Sequence, residues 1–143
     1  MKYELEYLND DQAALVVGEP MPMQTMTPQA LEDRLIDFVV GIVDVVESLP
    51  QSKAGNHIAG QLIRSGTSPA PNYAEARGAE SHNDFVHKMK ISLKELRESL
   101  VWLKILSRKQ MGDAAAVSAS ATECNELIAI FVSSTKTADQ RRT

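Results

Sequence analysis

Lys88, Lys90, Lys94, Arg97, Lys104, Arg108 and Lys109 bring seven cations into a short span of the chain, all on one predicted helix. The chemistry open to such a group is phosphate binding: ammonium as a point charge, guanidinium as a two-toothed donor. Nucleic acid is the polymer that presents phosphate at this density. The alternative is a solvated face neutralised by an acidic first helix.

A second set of polar residues, Gln61, Arg64, Ser68, Asn72 and Glu75, recurs at steps of three and four, the spacing of one helix face. Proline lacks an N–H, so Pro69 and Pro71 free carbonyls there, and Arg64 or Asn72 can donate to them. A structural cluster at a kink is therefore expected, with a binding patch as the other reading. Glu95 and Glu98, beside Lys94 and Arg97, read as ion pairs on a helix surface.

Catalytic and metal chemistry find less material. His57, His82 and His87 lack the i, i+4 pairing with a carboxylate that helical metal sites use, so no metal site is expected. The single cysteine, Cys124, excludes an intrachain disulfide and sits at a core position of the last predicted helix. No phosphate-cradling glycine loop, nucleophile elbow or redox cysteine pair is present. A non-enzyme without cofactors is the expectation.

The elements that carry these residues follow from composition and period. The 143 residues suit one domain; 43% are hydrophobic but only 5% aromatic, so aliphatic side chains must fill the core, which favours helices on helices. No secretory leader pattern and no apolar run of roughly 18 residues are visible, which makes no membrane contact and a cytoplasmic location the expectations. The net charge of −4 is uneven: residues 1–49 carry 2 basic and 10 acidic side chains, residues 50–110 carry 10 and 5, and residues 111–143 carry 3 and 4.

Residues 1–27 read as an arm. Tyr3, Leu5 and Tyr7 alternate with charged residues, which permits a strand, but a lone strand has no partner there. Thr27-Pro28 then opens helix one, with Leu31, Leu35, Phe38 and Ile42 on one face. Helix two is expected from about Lys53 to Ser65, kinked at Gly66, Pro69 and Pro71 and closed by Gly78. Ser81 and Asp84 cap helix three, which runs to Lys109 or Gln110 with Phe85, Met89, Leu93, Leu96, Leu100 and Leu103 inward. Helix four carries Val117, Ala121, Cys124, Leu127 and Phe131, and a polar tail follows over 138–143. Short links between such helices predict an all-α, up-down-up-down four-helix bundle over 28–137, with a kinked second helix.

Ile91, Trp102 and Ile105 project from another side of helix three, because eleven residues make nearly three turns. Apolar residues there, including the only tryptophan, predict contact with a second subunit. Packing against the arm is the alternative.

Gln61-Leu62-Ile63-Arg64, Ser68 and Asn72-Tyr73-Ala74-Glu75, followed by Asp84-Phe85 and Ser92-Leu93-Lys94-Glu95-Leu96, carry a family likeness. Their order and spacing resemble the bacterial four-helix bundle proteins encoded by intervening sequences of large-subunit ribosomal RNA genes. These share a superfamily with the accessory variability proteins of diversity-generating retroelements. The resemblance spans roughly Leu31 to Phe131. It departs at Pro69 and Pro71, at Ala76 where the family has glycine, and in the extra acidic arm.

The resemblance implies a bundle that assembles into a ring, commonly a homopentamer, without enzymatic activity. In the retroelement branch it implies contact with a reverse transcriptase and nucleic acid. The combined expectation is an oligomeric scaffold that binds RNA or a ribonucleoprotein through Lys88, Lys90, Lys94, Arg97, Lys104 and Arg108. The competing expectation is an oligomeric protein-interaction module, for example one accessory to a reverse transcriptase, that does not touch nucleic acid.

Overall fold

The structure, a computed structural model, describes residues 3–5, 15–17 and 24–141. Its body is a four-rod helical bundle made of α1 (Pro28–Glu47), α2 (Lys53–Thr67) with α3 (Pro69–Arg77), α4 (His82–Lys109) and α5 (Ala114–Gln140). Each start is chemically marked. The side chains of Thr27, Ser52, Ser81 and Asp113 accept hydrogen bonds from the backbone N–H of Ala30, Gly55, Asp84 and Ala116. Each cap satisfies one of the amides that a helix N-terminus leaves without a partner.

The second rod bends where the prolines require it. The helix runs through Gly66 and breaks only at Ser68, whose backbone stays helical (φ −76°, ψ −38°). Pro69 and Pro71 then fall in the first turn of α3, where a missing N–H costs little. Gly66 is needed for packing: a Cβ there would lie 2.7 Å from Ile42 Cγ2, so α1 and α2 approach as closely as glycine permits.

The core is aliphatic with few aromatics. Leu31, Leu35 and Ile42 of α1 meet Leu62 of α2, Met89, Leu96 and Leu103 of α4, and Leu127 and Ile130 of α5, all fully buried. Tyr73 and Phe131 pack edge to face with ring centres 5.8 Å apart. Leu93 and Leu100, expected inward on α4, are only partly buried, while Val86 and Leu106 join the core. α1 packs on α2, α3 and α5, and α4 packs on the same three. The first and third rods therefore stand at diagonal corners, with their outer faces turned away from each other.

Three sequence expectations need correction. Tyr3–Leu5 has a strand partner after all: it pairs antiparallel with Leu15–Val17, which pairs with Gln24–Met26, and the first strand lies against α5. Two three-residue partners, one next to the Thr27 cap, are too short to show a period. Next, α5 continues past residue 137 to Gln140, because Thr135 and Ala138 are buried and hold its last turns to the bundle. Finally, α5 is by length and composition apolar enough to cross a membrane, a feature its interleaved alanines and serines conceal as a run. In this fold it is a core rod, with Cys124, Leu127, Ile130 and Phe131 fully buried.

Candidate nucleic-acid interface

With 3.6 residues per turn, Lys90, Lys94, Arg97, Val101, Lys104 and Arg108 share one side of α4, turned away from the stripe of Met89, Leu96 and Leu103. All six are exposed. Lys90 Nζ lies 3.1 Å from Asp139 Oδ2 of α5. Lys94, Arg97, Lys104 and Arg108 form no ion pair among the described residues. Four uncompensated cations thus run along about 21 Å of one helix face, at 1.5 Å per residue.

The remaining cation assigned to this face, Lys88, is placed differently. It is half-buried toward α3, with Nζ 3.3 Å from Glu75 Oε1. Its charge ties two rods together.

The polar cluster of the second rod separates into three pieces. Arg64 Nη1 lies 3.3 Å from Glu95 Oε2, and Arg64 Nη2 donates to Gln61 Oε1 at 3.3 Å and makes a close contact with Glu98 Oε2. Asn72 Nδ2 donates to the Ser68 carbonyl at 3.0 Å and to Ser68 Oγ at 2.9 Å. Glu75 takes Lys88. Asn72 thus binds Ser68, whose carbonyl already accepts the Asn72 backbone N–H, so its bond does not go to a carbonyl that the prolines free, and Arg64 bridges α2 to α4. Glu95 and Glu98 correspondingly pair with Arg64, correcting the expectation of pairing with Lys94 and Arg97, and this is why those two cations remain free.

Trp102 is drawn into the same bridge. Its Nε1 donates to Glu98 Oε2 at 3.2 Å, and His57 of α2 meets its ring edge-on with centres 6.1 Å apart. Trp102 and Ile91 are half-buried within the chain, while Ile105 is 38% exposed and has Val101, 55% exposed, as its neighbour.

Other ionisable groups hold the bundle together. Arg34 of α1 donates two 2.7 Å bonds to the carboxylate of Glu123 on α5 and a third, at 3.1 Å, to Glu126, which raises its pKa. Arg77 donates to Gln29 and Glu32 of α1. Sequence reading misses both because the partners are distant in the chain. Within the core, Ser65 Oγ and Ser99 Oγ are 3.0 Å apart, and Ser99 Oγ is 2.8 Å from the Glu95 carbonyl. Cys124 Sγ donates to the Leu96 carbonyl at 3.2 Å. Burial pushes that thiol up to about 12, with Glu123 adding to the shift.

His82 Nε2 lies 2.8 Å from the Ala138 carbonyl, and its ring stacks on Phe85. Among the described residues no three of His, Cys, Asp and Glu gather closely enough to hold a metal. A cavity of about 260 Å³ at the α4–α5 turn, lined by residues such as Leu106, Met111 and Val117, contains no ionisable side chain. The outer face of α4 is the concentrated cationic feature left over from holding the fold.

The comparison with curated proteins gave no match. Among solved structures, the chain is similar to a protein of unknown function from the S23 ribosomal protein family of Bacteroides thetaiotaomicron. The two are 30% identical with a TM-score of 0.70, over 78% of this chain and 100% of that one. The family model of the 23S rRNA-intervening sequence proteins matches residues 32–133, which takes in the bundle from α1 into α5. The chain belongs to the 23S rRNA-intervening sequence protein family.

Proposed function

We propose that this protein is a non-enzymatic helical scaffold that binds RNA through the outer face of α4. The observation that carries the reading is the row of four exposed cations, Lys94, Arg97, Lys104 and Arg108, without ion-pair partners. The net charge of −4 does not oppose it, because unpaired carboxylates collect on the outer face of α1 at the diagonal corner. Neighbouring helix axes stand 8–10 Å apart, so outer faces across the diagonal are separated by roughly 20 Å. The Debye length at physiological salt is ~8 Å, and a phosphate on α4 is screened from α1.

Backbone contact by cations alone gives affinity without sequence readout, so the expected specificity is for RNA shape and charge. Family membership makes structured 23S-type RNA the first ligand to try. The test is a fluorescence titration of a labelled RNA hairpin with wild type and with Lys94→Ala/Arg97→Ala/Lys104→Ala/Arg108→Ala. Loss of the salt-dependent part of binding in the variant supports the reading, and unchanged binding refutes it.

A further inference from the structure

The cavity at the α4–α5 turn stands at the end of the cationic row. Ser107 is exposed and also lines the cavity; Lys104 precedes it by one turn of α4 and Arg108 follows it. Side chains three apart on a helix are neighbours, with Cβ atoms about 5–6 Å apart. A phosphate held by Lys104 and Arg108 therefore sits beside the cavity's opening.

The group attached to such a phosphate must be uncharged to enter, because no lining side chain is ionisable. Met111 and Val117 give the cavity apolar walls. Its volume of about 260 Å³ lies below the roughly 300–1,000 Å³ of pockets that take drug-sized molecules, so the occupant is one small ring system. Hydrogen-bonding groups complete the lining: the Ser107 hydroxyl, the Gln110 amide, and the backbone N–H of Ala114, which opens α5 and has no partner within that helix. Cations outside and an uncharged, edge-polar cavity within are the two halves of a nucleotide site.

The backbone singles out Gln110. Gln110 and Gly112 both take left-handed conformations, with φ 54° and 83°. Glycine is the usual residue where a helix ends this way, and Gly112 conforms. Gln110 is the one non-glycine residue with positive φ among the described residues, a conformation that is costly for a side chain and recurs where ligands are gripped. Its amide holds a donor and an acceptor side by side, the pair that matches N7 and the amino group of adenine.

We infer that the cavity receives one unpaired adenine of the RNA whose phosphates lie on Lys104 and Arg108. The ring packs between Met111 and Val117, the adenine amino group donates to Gln110 Oε1, and Gln110 Nε2 donates to N7. Resting on the RNA reading above, this site adds what phosphate contacts lack, a preference for sequence at one position. An unpaired base is the form that can enter, since a paired one must first give up its partner and its stack.

Fluorescence titration of labelled hairpins that carry one bulged nucleotide tests the site. A bulged adenine is expected to bind about tenfold more tightly than a bulged uracil or an abasic bulge at the same salt. Equal affinity for the three hairpins overturns the inference, and if that binding still weakens with salt the RNA reading stands without it. Gln110→Gly is expected to lose the preference for adenine with a melting temperature equal to or above wild type, because glycine takes the left-handed position without strain. A preference that survives this change overturns the adenine contact. Ala114→Trp, at the exposed start of α5, fills the cavity and is expected to bring the adenine hairpin down to the abasic level with the salt slope intact. An undiminished preference in that variant overturns the location.

Adenosine alone, which carries no phosphate, separates the two readings. It is expected to shift the amide resonances of Gly112 and Ala114 in wild type and equally in the variant with Lys94, Arg97, Lys104 and Arg108 changed to alanine. Those shifts without hairpin binding by wild type defeat the RNA reading and leave the cavity an adenine site. Amides that stay unshifted at millimolar adenosine overturn the inference.

Discussion

Cys124 shows how much one side chain can reveal about its surroundings. Its thiol is fully buried, donates to the Leu96 carbonyl and is held as the neutral form up to about pH 12. Thiolate is the reactive species, so a thiol reagent at pH 8 is expected to label Cys124 only after denaturant opens the bundle. Labelling of native protein at the rate of a free thiol contradicts this placement. Because the folded pKa is raised, the stabilising difference is present below the unfolded value of about 9 and is lost as pH rises from there toward 12. The slope is at most about 1.4 kcal/mol per pH unit from this group. Cys124→Ala is expected to flatten that alkaline decline in thermal melts. Arg34 carries a different load: Arg34→Ala removes two bonds to Glu123 and leaves a half-buried carboxylate unpaired, at a cost of about 1.5–3 kcal/mol in urea denaturation. The burial of Cys124 is legible from its place on a helical stripe. The Arg34 pair is not, because nothing local to Arg34 indicates a partner 89 residues away.

Helix ends and close approaches decide the elements. Ser81→Ala removes the acceptor for the Asp84 N–H and is expected to cost about 1 kcal/mol, measurable as a shift in the urea midpoint. Gly66→Ala places a methyl against Ile42 in a filled core and is expected to cost about 1–3 kcal/mol, and with Ile42→Ala, which removes both clashing Cγ atoms, the double variant is expected to lose less than the sum of the two single losses. Caps and prolines made most of these boundaries readable: Thr27-Pro28, Ser81 and the break before Pro69 are local chemical signals. The α1–α5 face is less readable, since it depends on which helices become neighbours. The same holds for the three short strands, whose pairing depends on chain geometry with no residue pattern to announce it. Trp102 illustrates the limit on a single helix: its spacing from Ile91 places it on an outer side and Glu98 lies one turn back on the same helix, but only the approach of α2 brings His57 over it.

For the whole molecule, the governing fact is segregation of charge between diagonal rods. The uneven charge along the chain foretells it, but sequence alone does not say that Arg64 occupies Glu95 and Glu98 and so leaves Lys94 and Arg97 on α4 without them. The proposed function depends on that vacancy of partners. Four phosphate contacts give a slope of log affinity against log salt of about −3 to −4, or roughly a 100-fold loss between 50 and 200 mM salt. Restoring one alanine to the native cation should return about one contact's share of that slope. The most direct measurement is therefore RNA-hairpin affinity at those two salt concentrations for wild type and the four-alanine variant, with mass followed by light scattering. The account expects a steep salt dependence in wild type that disappears in the variant; equal slopes for the two proteins, or no binding at 50 mM salt, would contradict it.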